Sequence, residues 1–502
     1  MEKLVIRDED KFREIVSSAL EYLKQKADYA DILIENIVKV EAKLLSDGQE
    51  LVIPYSSKAA MQLRIVMGDG RHIELGLGLV GGDKLRKDID TALSILEDSE
   101  PDKEYGLAPI PNPSKEKYGK EIKLDLRDID TGEAMAAIID DIKEIAFRIG
   151  KKHGAELKPE IWFFSQVEEK IIADIDGIYK TQVLPTTFLQ VHVKARKGKK
   201  LTQYRVRHAD IEGLDFLLEG QLLKDDVRVK IEAAMENAVL LFRARKLSNE
   251  ELGSLTHYVL APSTMVFVHE AQGHNFESDI IQEGGSGLIR KDGSPVEERI
   301  ASDIVHIYDA QPMDGNGNFI LDRGFGTQFI DDEGVEVKPV QLVRSGRIVG
   351  KLHNRETAHF YKEEPNGRGF SELGDSRVVR MTNTYIAPAG QCYKTKEELI
   401  SDVKFGVMME GSLGGAVNKD GMATSLQIGY LIKDGKLTDT VLLPANVTVI
   451  TKSALLASEG FAWRVVVDDD AGFCGKAGQT KFVTDGGPLI KIRNTDSINL
   501  AY

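Results

Sequence analysis

Cysteine and tryptophan are nearly missing from this chain, with two of each among 502 residues. Two thiols, Cys392 and Cys474, cannot frame a disulfide scaffold, and a reducing compartment leaves each available for metal or chemistry. No apolar run approaches the ~20 residues that span a bilayer. The N-terminus opens with Glu2, Lys3, Arg7 and Asp8 in place of a signal-peptide core, so a cytoplasmic protein with no membrane association is expected. Positive charge is in deficit: 65 Lys plus Arg against 80 Asp plus Glu give a net charge of −15, a field that repels nucleic acid and anionic lipid. The local basic knot Lys194 to Lys200 reads as a solvated hairpin turn. No Gly-rich phosphate loop follows any strand, so nucleotide binding is not supported.

What is present is ordinary globular material, 42% hydrophobic and 29% charged, long enough for two or three domains. Phe12, Ile15, Val16, Ala19, Leu20 and Leu23 recur at helical spacing, and hairpin signals follow at Asp47-Gly48 and Asp69-Gly70. A looser stretch from Asp98 to Lys117 is a candidate linker. The stripe Met135, Ile138, Ile139, Ile142, Ile145, Ala146, Ile149 predicts a second helix. Residues 160–208 read as antiparallel strands, and Asp225 to Lys246 as a third helix. Beyond Leu247, short apolar strands dominate, interrupted by a helix around His269 and another from Lys396 to Val407. The fold class is therefore α+β, with helix-plus-antiparallel-sheet units in residues 1–250 (a sub-boundary near 98–117) and a β-rich half with a metal-binding helix in 251–502.

The string that carries chemistry is HExxxH, from His269 and Glu270 to His274. Four residues from His to His would set both rings on one helical face; five rotate the second by about 140°. One metal can then bind both only if a π-type turn or a break at Gly273 absorbs the extra residue, and that irregularity is expected here. Hydrolysis by zinc needs a third protein ligand and an open position for water. Cys474 supplies the third from the Gly-rich loop Gly472 to Gln479, where Lys476 or the metal favours the thiolate, while Cys392 has no such surroundings. Glu270, beside a ligand but not itself bound, is placed as general base for peptide hydrolysis. Glu277 and Asp279 read either as carboxylates that orient the imidazoles or as solvated groups. Two other readings stay open: a closed four-ligand structural zinc with His353 or Asp279 in a scaffold subunit, and Cys474 as a nucleophile with a His base.

Four segments, HEAQGHNFESD (His269–Asp279), DDEG (Asp331–Gly334), RMTNTY (Arg380–Tyr385) and CGKAGQ (Cys474–Gln479), resemble in order those of the TldD/PmbA family, called modulators of DNA gyrase. These are zinc metallopeptidases, and the resemblance, over residues 250–490, is to the TldD-like catalytic branch. It implies His269, His274 and Cys474 as zinc ligands, Glu270 as general base, and unfolded or short peptides as substrates. It also implies a two-subunit shell, either a homodimer or a heterodimer with a TldE-like partner. By the same analogy the strands near Arg380 to Tyr385 and at Gly414-Gly415 pair with substrate backbone, with Arg380 and Asn383 as direct contacts. The family segment after the second His commonly reads GlyLeuGluGlyAsp-like, whereas this chain has Asn275-Phe276-Glu277-Ser278-Asp279. A DNA role conflicts with the negative charge.

Overall fold

The computed structural model describes residues 9–111, 117–122, 126, 131–219, 222–314, 317–390, 392–417, 420–462 and 467–502, with the backbone alone at 9–11, 54, 131 and 467–470. The first half runs α1 (Glu9–Leu23), β1 (Tyr29–Leu44), β2 (Glu50–Val66), β3 (His72–Gly78), α2 (Gly82–Glu97), β4 (Lys117–Gly119), α3 (Thr131–His153), β5 (Glu156–Asp174), β6 (Tyr179–Lys197), β7 (Lys200–Asp210) and α4 (Asp225–Leu240). The two helix-plus-sheet units read from sequence merge into one sheet, because β1 pairs antiparallel with β5 from Asp31↔Asp174 to Leu44↔Ile161. Its order is β3-β2-β1-β5-β6-β4, with β7 also on β6.

Strands this long present two continuous faces, since successive side chains alternate. On β1 the even positions Ala30, Ile32 and Ile34 pack under α1 and α2, while Val40, Ala42 and Leu44 pack under α3 and α4. The α3 stripe from Met135 to Ile149 is buried as its spacing predicts. Helix α2 buries Leu85, Ile89, Ala92 and Leu96. The helix expected to reach Lys246 ends at Leu240 and tightens into a 3-10 turn, Leu241–Arg243.

The opposite face of this sheet packs on the second half. Trp162 and Phe164 of β5 and Phe188 of β6 join Phe325, Phe473 and Phe482 in one aromatic cluster, with Trp162 stacked on Phe473 at a centroid distance of 5.1 Å. Further along, buried charges meet: Arg64 of β2 lies against Asp31 (2.5 Å) and Glu333 (2.6 Å), and Lys170 of β5 against Asp332 (2.6 Å). The stretch Asp98 to Lys117, of which 112–116 lie outside the described residues, is not a free tether. Tyr105 stacks on His72 at 3.4 Å, and Ala108 exchanges hydrogen bonds with Arg355.

The second half holds an eight-stranded and a six-stranded sheet. The helix read as Lys396 to Val407 stops at Ile400. Val407 belongs instead to the strand Phe405–Val417, which pairs antiparallel with Gly421–Lys433 and parallel with His257–Leu260. The pairing of that apolar run across two neighbours overrides its helical spacing. Among the described residues no helix is long and apolar enough to cross a membrane.

Candidate metal centre

The helix Val266–Ala271 ends one residue before Gln272, and a 3-10 turn, Gly273–Phe276, follows it. This is the break expected from the five-residue spacing. It brings the His269 and His274 rings to a centroid distance of 4.9 Å at nearly right angles. Cys474 arrives from the hairpin of Val467–Lys476 and Gln479–Gly486, whose far side is anchored through Phe473 to the aromatic cluster on the first sheet. One donor atom from each of His269, His274 and Cys474 falls within 4.8 Å of the other two. The Cys474 Sγ lies 3.5 Å from His274 Nε2. That separation matches the edge of a tetrahedron with metal–nitrogen and metal–sulfur bonds of about 2.0 and 2.3 Å.

Carboxylates stand behind both imidazoles. His274 Nδ1 is 2.8 Å from Glu277 Oε2, which leaves Nε2 toward the sulfur. His269 Nδ1 is 2.9 Å from Asp485 Oδ1, without the alignment of a directed hydrogen bond, so the contact is electrostatic. Burial alone would push the Cys474 thiol up, but the two imidazoles outweigh it and bring the thiol down to about 5. The sulfur is thus held as thiolate, the form that binds metal. Burial would lower His274, yet Glu277 and the sulfur raise it to about 9. Glu277, which burial would raise, is brought down to about 2, chiefly by Lys476 and then His274. The donor set of two imidazoles and a thiolate, with each ring backed by a carboxylate, fits zinc.

Glu270 stays out of the donor cluster, its Oε2 4.0 Å from His274 Nε2, and burial raises its pKa. It faces a cavity of about 450 Å³ that also holds the three donors, Asp485 and the segment Ser412 to Val417. Gly414 to Ala416 are exposed there, beyond Met409, where the parallel pairing with His257–Leu260 ends. Gly415 lies directly against Glu270, since a Cβ at this position would come 2.7 Å from the Glu270 Cγ.

Arg380 and Asn383, read from the resemblance as substrate contacts, are not among the residues that line the cavity. Arg380 is fully buried behind the site and donates to the carbonyl oxygens of Cys474 and Gln479. Asn383 is engaged with Thr327 and Gly326. At Thr384 and Tyr385 both edges of the strand Asn383–Pro388 are occupied, by Val305–Asp309 and Gln479–Gly486. Of the two residues weighed as a fourth ligand, His353 sits against Glu363 and Thr357, and Asp279 is held by Lys476. Sequence reasoning missed Asp485 and two cavity-lining arginines of β7, Arg205 and Arg207. Arg205 donates to the carbonyls of Ser412 and Leu413, and Arg207 to that of Ala471, so the first sheet grips both walls of the cavity. Their only signal is alternate spacing on a strand, which any solvated strand face also has.

Two imidazoles and a thiol at the wall of a cavity, with a separate carboxylate facing the same space, are a donor set able to hold a metal ion. Residues 255–494, just under half of the chain, match the PmbA/TldA metallopeptidase C-terminal domain. A protein named metalloprotease from Methanothermobacter thermautotrophicus is 35% identical over 278 residues, 54% of this chain and 56% of its own length. Another of that name from Methanocaldococcus jannaschii is 27% identical over 94% of this chain and 97% of its own. The crystal structure of TldE from Thermococcus kodakarensis shares the fold, with a TM-score of 0.74 at 16% identity, covering 97% of this chain and all of that one.

Proposed function

We propose that this protein is a zinc-dependent peptidase of unfolded or short peptides, with His269, His274 and Cys474 holding the ion and Glu270 acting as general base. The observation that carries the reading is the convergence of three donors, two of them 200 residues apart in sequence, on a cavity that also presents the separate carboxylate of Glu270. Zinc held by this set would have a net charge near +1 and supply Lewis acidity toward water and a peptide carbonyl. Glu270, desolvated enough to raise its pKa, takes the proton of the attacking water and passes it to the leaving amine. An extended peptide lies along the strand from Leu413 to Ala416, where Gly414 and Gly415 put no side chain in the way, although the Gly414 N–H and carbonyl are themselves engaged by Ser412 and Thr424.

In this reading residues 251–502 carry the chemistry, and residues 1–250 form the wall that fixes Cys474 and the cavity strand. The working unit is cytoplasmic and has two chains, either two copies or one copy with a TldE-like subunit. The test is Glu270→Gln. Zinc stays at about one per chain while peptide turnover falls about 100-fold or more; a variant that keeps both zinc and full turnover removes Glu270 from the mechanism.

A further inference from the structure

The ligands sit on two segments with no covalent tie between them: the stretch His269 to Asp279 and the hairpin that carries Cys474. Lys476, two residues past the cysteine, folds back across the gap. Its Nζ lies 2.7 and 2.8 Å from the two carboxylate oxygens of Asp279, 2.7 Å from the carbonyl oxygen of Val379 and 3.3 Å from Glu277 Oε2. That same Glu277 oxygen accepts from His274 Nδ1. The other, Oε1, has no hydrogen-bond partner among the described residues and the carboxylate is fully buried, so Glu277 is held through Oε2.

We propose that Lys476 is a positioning residue that sets the distance between His274 and Cys474, holding one ligand segment through Glu277 and Asp279 while its own backbone carries the other. This rests on the reading of His269, His274 and Cys474 as the metal ligands. The ammonium donates to both oxygens of Asp279 and to the Val379 carbonyl, while its charge faces Glu277 at 3.3 Å, so one cation ties the three groups together. Asp279 touches neither imidazole nor the sulfur. Its route to the metal runs through Lys476 and, by way of Val379, the backbone on which Lys476 also rests.

The test uses the full chain, with zinc affinity measured by chelator competition for wild type, Lys476→Met, Asp279→Asn and the double variant. Each single change weakens zinc about 10- to 100-fold, the range found when a group behind a ligand is removed. The double variant stays within about threefold of Lys476→Met, because both changes cut one link. In the cobalt-substituted protein the thiolate-to-metal band shifts in both single variants. Unfolding midpoints of the metal-free proteins report whether each variant folds; should Lys476→Met not fold, the near-isosteric Asp279→Asn carries the measurement. Asp279→Asn binding zinc as tightly as wild type, or losses that multiply in the double variant, overturns the proposal. Wild type that binds no zinc, or Cys474→Ala that binds it undiminished, removes the underlying site instead.

Discussion

At Gly415 one methyl group would displace the Glu270 side chain, the proposed base. The 2.7 Å approach to the Glu270 Cγ is closer than real Cβ contacts come, so Gly415→Ala must push the proposed base aside. Displacement of about 1 Å at a reacting group costs on the order of 100-fold. We expect Gly415→Ala to bind zinc normally and to lose at least about tenfold in kcat/KM on a fluorogenic peptide; unchanged turnover contradicts the placement of Glu270. A second residue makes a pH prediction. His208 on β7, stacked on Phe216 at 4.5 Å, is pushed down to about 4 by burial and then by Lys230 and Arg323, against Asp226 and Asp210. The unfolded chain therefore binds the extra proton between pH 6.5 and 4, and stability falls as pH drops through that window. From pH 7 to pH 5 this group removes about 2 kcal/mol, at 1.36 kcal/mol per unit. Urea midpoints for His208→Gln should lose less over the same interval than wild type. The three candidate donors could be picked out in sequence because metal chemistry restricts ligands to few types at few spacings, and the structure brings them together. Asp485 and the contacts of Lys476 could not, since a carboxylate or an ammonium in a polar loop has no pattern until a distant segment meets it.

Elements were legible where one neighbour decided them and misread where two competed. Helix α3 needs only an apolar stripe against a sheet, and its sequence supplies one. The run after Lys396 carries a helix start, with Thr395 capping Glu398, but its later apolar residues are claimed by strands on either side. The break between the two histidines followed from arithmetic on the helix repeat, and its cause lies in packing. A Cβ on Gly273 would come 2.1 Å from the sulfur of Met381, itself fully buried. The turn can pass here only without a side chain. Gly273→Ala forces Met381 out of place at about 1–3 kcal/mol, the usual cost of overpacking. We expect a lower urea midpoint together with weaker zinc binding, because His274 begins one residue later. A loss of stability with zinc affinity intact would separate the turn from the site.

Across the whole molecule, the face of the first sheet that no helix covers was the least legible surface. It buries charges that a reading by hydropathy places in water. Asp31 accepts from Arg64 and lies 2.8 Å from Arg377, and Arg64 also reaches Glu333 of the DDEG turn, whose Oε2 takes the backbone N–H of Arg355. The side chains of Arg64, Asp31 and Glu333 are each no more than 4% exposed, so every one is stable only with its counterpart in place. This face and the aromatic cluster near Phe473 together hold the first sheet on the hairpin of Cys474 and on the cavity strand. Removing one cation from such a group strands its carboxylates, a loss of about 3–5 kcal/mol for a broken buried pair. Arg64→Met should therefore lower stability by that amount in urea at pH 7. Arg64→Met combined with Glu333→Gln, which removes a charge of each sign, should recover part of it. If the double variant is as unstable as the sum of the two single ones, the charges do not act as a unit, and the joint between the halves rests on the aromatic cluster instead.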